Sequence, residues 1–128
     1  MSSGKLEVHI VQGRGIKDMD TVGQGDPYVE LWLDEDSSTK HKTDSRSGTN
    51  TPVWDKYFHY FVKNHKELHL RLLDEDVGAS ELIGVCSIPL ADVYEKRYVD
   101  QWVHLPDKKS QESNGEVRVI LEYWPTNI

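Results

Sequence analysis

Two stretches of the chain concentrate carboxylates at spacings that could hold a hard cation. The first runs Asp18-Met19-Asp20-Thr21-Val22-Gly23-Gln24-Gly25-Asp26-Pro27, and the second Asp74-Glu75-Asp76-Val77-Gly78-Ala79-Ser80-Glu81. In Asp74-x-Asp76 the two side chains leave an extended backbone on the same side. Asp20 and Asp26 bracket a glycine-containing loop that can fold back and bring both carboxylates to one mouth. Calcium takes about 6–8 hard oxygen ligands and tolerates irregular geometry, whereas magnesium demands stricter octahedral order. Zinc would call for His or Cys, and His41, His59, His65 and His69 lack metal-motif spacing. Either acidic loop by itself is as readily a solvated turn, because Asp favours turns through local hydrogen bonding. The first loop half-mimics an EF-hand, with Asp18, Asp20 and Gly23 at loop positions 1, 3 and 6. Val22 and Val29 then fall where ligands belong, and both flanks are strand-like, so that reading fails.

The elements that must position these acids follow a period of two, the pattern of half-buried strands. Leu6, Val8 and Ile10 alternate with Glu7 and His9, and Tyr28 to Leu33 forms a second short run. After a polar stretch, Phe58, Tyr60 and Val62 alternate with His59 and Phe61, and Leu68, Leu70 and Leu72 with His69 and Arg71. Val117, Val119, Leu121 and Tyr123 close the series. Turn-rich segments separate the runs: Gly13 to Gly15, Gly23 to Pro27, Ser45 to Pro52, Asp74 to Ser80 and Lys108 to Gly115. Such spacing predicts an antiparallel sandwich or barrel. Leu90 to Tyr98, after Pro89, suits one short helix before the strand Trp102 to Leu105. One domain is expected over 1–128, with its core at about 5–124 and tails at 1–4 and 125–128.

Composition narrows the function. The formal net charge of −7 opposes nucleic acid, whose binding rests on Lys and Arg neutralising phosphates. It opposes an anionic membrane equally, unless something inverts the charge locally. The single cysteine, Cys86, forbids an intrachain disulfide, which fits a reducing, cytoplasmic setting. It alternates with Gly84 and Ile88 on one strand face, the place of a small buried hydrophobe and not of a nucleophile. Trp54 and Trp102 are expected in the core or at the sandwich end, and Trp124 partly exposed. The start shows neither a secretory h-region nor a myristoylation glycine. No G-x-S-x-G, phosphate-binding glycine loop or H-E-x-x-H occurs, so no enzyme is expected.

Five segments, in order, resemble the C2 domain family. Gly25-Asp26-Pro27-Tyr28-Val29 is similar to its S/G-D-P-Y-V signature, and Asp20 stands where the family places its first loop aspartate. Asp74-Glu75-Asp76 resembles the D-x-D of the third loop, and Leu82-Ile83-Gly84 the closure that follows it. Thr51-Pro52-Val53-Trp54-Asp55 resembles the N-P-x-W-N/D motif, with Thr51 in place of Asn. The resemblance spans Lys5 to about Tyr123, and implies an all-β, eight-stranded antiparallel Greek-key sandwich in the permuted, phospholipase-like topology.

The resemblance also implies calcium, two or more ions, held by Asp20, Asp26, Asp74 and Asp76. Glu81 stands where the family usually has Asp, in a loop one residue shorter. Ser80 would add an oxygen, and Met19 and Glu75 backbone carbonyls. Val22 and Val77 fall near the loop tips as shallow membrane contacts, and Lys40 and Lys42 resemble part of a basic strand that meets lipid head groups. A solvated edge with ordinary charges is the preferred explanation of those lysines, because lysines are usually exposed. The expected function is calcium-dependent binding of anionic phospholipid membranes by a peripheral protein. The alternative is a calcium-independent module with a protein partner.

Overall fold

The computed structural model describes residues 2–17, 25–76, 80–106 and 113–126. Each alternating run forms a strand, and the apolar half of each alternation faces one interior. The strands are β1 (Ser3–Arg14), β2 (Pro27–Leu33), β3 (Asp36–Lys42), β4 (Val53–Lys63), β5 (Glu67–Asp74), β6 (Glu81–Pro89), β7 (Tyr98–Pro106) and β8 (Ser113–Pro125). One helix, α1 (Ala91–Lys96), links β6 to β7. The strands pair antiparallel in two four-stranded sheets, ordered β4-β1-β8-β7 and β3-β2-β5-β6. Leu6, Val8 and Ile10 from one sheet and Leu31, Leu68, Leu70 and Leu72 from the other are almost wholly buried between them. At about 25 cal/mol per Å² of apolar surface, this shared core dominates the stability of the sandwich.

The expected eight strands and single helix are all present, and specific contacts set the bounds that alternation leaves open. The polar stretch before Thr43 is strand β3, an edge strand with almost no buried side chain. It lacks the alternation because its side chains stay largely exposed, although the His41 ring meets those of Phe58 and Tyr60. Hydroxyls hold it instead, with Thr39 Oγ1 accepting the Leu33 N–H at 2.8 Å and Thr43 Oγ1 the Val29 N–H at 3.0 Å. The last strand begins at Ser113, inside the expected turn, because buried Asn114 donates from Nδ2 to the Ile83 carbonyl at 2.7 Å. The helix ends at Lys96, with Arg97 in the left-handed region (φ 70°) and its N–H returned to the Val93 carbonyl, so Tyr98 already belongs to β7. Pairing also starts earlier than the first apolar residue, with Ser3 opposite Lys63.

The two sheets touch most closely where β6 meets β7. A Cβ on Gly84 would stand 2.5 Å from the Leu105 carbonyl oxygen, so only glycine lets these backbones approach. Gly84→Val should lower stability by about 1–3 kcal/mol through overpacking. Urea unfolding measures this, and an unchanged midpoint would show that the contact is dispensable.

Candidate metal centre

The antiparallel register brings the acidic segments to one end of the sandwich. Pro27 lies opposite Asp74, and Asp74 opposite Glu81. Asp74 is the buried member, 2% exposed, and its Oδ1 accepts the Asp26 backbone N–H at 2.8 Å. Gly25 makes room for it, since a Cβ there would meet Asp74 Oδ2 at 2.8 Å. The Asp26 carbonyl accepts the Glu75 N–H at 2.9 Å, so the two loops are stitched in both directions. Asp26 Oδ1 accepts the Gly48 N–H at 2.9 Å, which recruits the turn before β4.

The Thr51-Pro52-Val53-Trp54 segment supports this end from below. Buried Trp54 donates its indole N–H to the Pro27 carbonyl at 3.0 Å, and the Arg46 N–H reaches the same oxygen at 3.1 Å. The residue after Asp26 is thereby fixed from two sides.

Asp26, Asp74, Glu75 and Asp76 thus share one end with Ser80 and Glu81. Asp76, Ser80 and Glu81 are exposed. Ser80 Oγ accepts the Tyr28 hydroxyl at 2.7 Å, and the Glu75 carboxylate accepts the Ser45 hydroxyl. Met19, Asp20, Val22 and Val77 lie outside the described residues. Every donor in the described set is a hard oxygen, the chemistry that calcium prefers. Among the described residues no group of three or more His, Cys, Asp and Glu side chains converges as a metal-binding cluster. The first acidic loop, with the expected ligand Asp20, is not among them.

The sequence profile of the C2 domain matches residues 4–105. The chain belongs to the C2 domain family. It is 31% identical to the 16 kDa phloem protein 2 of Arabidopsis thaliana over 98% of this chain and 85% of that protein. It is 30% identical to Synaptotagmin-4 of Arabidopsis thaliana over 95% of this chain, but spans only 23% of that longer protein. The first two C2 domains of Extended-Synaptotagmin 2, solved with calcium bound, share the fold. The TM-score is 0.83 at 22% identity, covering 98% of this chain and 47% of that one.

Lys40 and Lys42 of this C2 domain stand on β3, on the outer face of its sheet, and Lys42 lines a cleft with Tyr28, Ser45 and Glu75 at the margin of the acidic end. Lys40 Nζ lies 4.9 Å from the Trp32 ring centre and 3.7 Å from Glu30, and Lys42 Nζ lies 5.8 Å from the Tyr28 ring centre. Arg71 joins them, 3.4 Å from Glu30 and over the same Trp32 ring. Sequence reasoning did not single out Arg71, although the alternation of Leu68, Leu70 and Leu72 already placed it on this outer face. No helix among the described residues is long and apolar enough to cross a membrane.

Cys86 faces the interior as expected but is only half-buried, packed against the core near the edge of its sheet. Burial pushes its thiol up to about 11. The thiolate is the reactive form, so alkylation of the native domain at pH 8 should be far slower than of the urea-unfolded chain. Between the ordinary thiol value of 9.0 and about 11, the unfolded chain releases this proton while the native one holds it. Stability therefore falls as pH rises through that window. Native and unfolded alkylation rates that matched at pH 8 would refute the assignment.

Proposed function

We propose that this C2 domain binds calcium at its acidic end and thereby docks on anionic phospholipid surfaces. The ligands in this reading are the carboxylates of Asp20, Asp26, Asp74, Asp76 and Glu81, the Ser80 hydroxyl, and the backbone carbonyls of Met19 and Glu75. The observation that carries it is the Asp26–Asp74 clamp, in which a carboxylate of 2% exposure is built against the backbone of a second acidic residue. Burying such a carboxylate is costly without a compensating partner. The hydrogen bond from the Asp26 N–H contributes to that compensation, and a divalent cation would add to it.

Calcium, when bound, supplies positive charge and open coordination positions that phosphate or carboxylate oxygens of lipid can fill. Two ions would bring the five carboxylates from about −5 to about −1, removing most of the repulsion from membrane phosphates. Metal and lipid then raise each other's affinity by the same factor. The hydrogen-bonded frame needs no large rearrangement, so the switch is local electrostatics on a rigid scaffold. Val22 and Val77 would add shallow contact at the tips, since valine inserts weakly into an interface. The domain acts as a peripheral membrane-targeting module and not as a catalyst.

Calcium at 100 times its dissociation constant should stabilise the fold by about 2.7 kcal/mol, because it binds only the native state. Asp74→Asn with Asp76→Asn should abolish that gain while leaving the domain folded, because an Asn amide oxygen at position 74 still accepts the Asp26 N–H. Sedimentation should require both calcium and phosphatidylserine, and should weaken with salt, since screening acts over about 8 Å at physiological ionic strength. A melting temperature indifferent to millimolar calcium would instead favour the calcium-independent protein-interaction reading.

A further inference from the structure

Among the described residues the large apolar side chains most exposed to solvent are Val53, Tyr57, Phe61, Tyr98 and Trp124, and all five belong to the β4-β1-β8-β7 sheet. Phe61 is 86% exposed. Directly opposed residues on neighbouring strands share a face. In one row Lys5 lies between Phe61 and Trp124, and in the next Glu7 lies between His59 and Glu122, with Tyr98 beyond. In a third, His9 lies between Tyr57 and Ile120. The outer face of this sheet is therefore aromatic at its margins and acidic at its centre.

A cavity of about 190 Å³ opens there, lined by Glu7, His9, Tyr57, Tyr98, Ile120 and Glu122. Glu7 and Glu122 stand directly opposite each other across β1 and β8, an arrangement that like charges disfavour. His59 lies 3.2 Å from Glu7, but no basic side chain of the described residues pairs with Glu122. His9 is already engaged, with Nε2 2.7 Å from Asp55 and its ring stacked 3.8 Å from Tyr57. The cavity thus offers an acidic floor, one carboxylate without a counter-charge, and two half-exposed tyrosines as walls.

We propose that this cavity receives an arginine side chain from a protein partner whose segment lies across the outer face of the β4-β1-β8-β7 sheet. A guanidinium stacks on aromatic faces and bridges carboxylates with its planar fork of N–H donors. Phe61 and Trp124 then cover apolar side chains of the same segment. A second copy of this chain is a poor donor, because each of its five arginines is engaged. Arg14 lies over Trp102, Arg46 bonds the Val53 and Trp54 carbonyls, Arg71 meets Glu30, Arg97 bonds the Tyr94 carbonyl and Arg118 meets Asp100. An anionic membrane would be repelled by Glu7, Glu122 and Asp55. Glu7 lies roughly 25 Å along β1 from Gly15, at about 3.3 Å per residue, so the partner would not compete with the acidic loop end. The proposal does not depend on calcium binding.

The test uses the full chain in chelator, titrated with a hexa-arginine peptide. Amide chemical shifts should move most around Glu7, His9, Tyr57, Tyr98, Ile120 and Glu122. Glu122→Gln should weaken the peptide about fivefold or more, the scale of one charge-assisted hydrogen bond. Tyr98→Ala should weaken it similarly, while Asp92→Asn, the same charge change on α1, should leave affinity within about twofold. Shifts centred on Asp26, Asp74 and Asp76 would overturn the proposal, as would an Asp92→Asn effect equal to that of Glu122→Gln. Metal-free capture of phosphatidylcholine vesicles, lost in Glu122→Gln, would overturn it too, because the occupant would then be a choline head group. Shift mapping on the unmodified chain decides the matter even if a variant fails to fold.

Discussion

A carboxylate at 2% exposure, hydrogen-bonded to the backbone of another acidic residue, is the constraint around which the acidic end of the sandwich is arranged. Asp74 sits at the last position of β5, where the strand order places it against both Pro27 of β2 and Glu81 of β6. Its charge must be compensated locally, because an ionised carboxylate taken out of water is costly. Gly25 has no side chain for that reason, and the Asp26 N–H points inward for the same one. Relaxing either would release the two acidic segments from each other.

The constraint extends beyond the two loops, because the groups that hold Asp26 and Pro27 come from a third. Trp54 lies at the start of β4, in the opposite sheet, yet its indole reaches the Pro27 carbonyl. The Gly13 and Ile16 amides bond the Pro52 and Asn50 carbonyls, which ties the end of β1 to the same turn. Asn114 spans the other side, accepting the Lys17 N–H on its carbonyl and reaching Ile83 with its side chain. Both sheets therefore position the acids, and core stability is transmitted to the site through buried hydrogen bonds. Each such bond, left unmade, costs about 1–3 kcal/mol.

Alternation made most strands legible, because a half-buried strand writes its two faces into alternate residues. Strand β3 was legible only through its resemblance to a basic strand and not from alternation, since it is little buried and is held by pairing with β2, by the Thr39 and Thr43 hydroxyls and by ring contacts with Trp32 and Tyr28. The acids were legible as a spacing, and Asp26 with Asp74 as a pair only through the family resemblance. What the sequence did not disclose is the direction of the contacts: that Asp74 is buried, that Gly25 yields to it, and that the Gly48 amide serves Asp26. Those depend on residues tens of positions apart. The aromatic face escaped notice because Tyr57, Phe61, Tyr98 and Trp124 are scattered along three strands and meet only through register.

The two sheets consequently carry opposite surface chemistry on a common core. The outer face of β3-β2-β5-β6 gathers Lys40, Lys42 and Arg71 around Trp32 and Tyr28, with Glu30 compensating from within. That of β4-β1-β8-β7 gathers exposed aromatics around Glu7 and Glu122, with Arg118 spent on Asp100. The Arg118 hydrogen bond, aided by its charge, holds the Asp100 carboxyl below its ordinary range. That pair is closed to outside ligands, whereas the Glu122 carboxylate two rows away is not. Under the proposed function, a sandwich whose loop end changed charge with a metal, while its flat faces kept theirs, would engage different surfaces through different parts. The shared core would keep such engagements independent, since binding at a strand face need not move the Asp26 and Asp74 segments that the clamp holds.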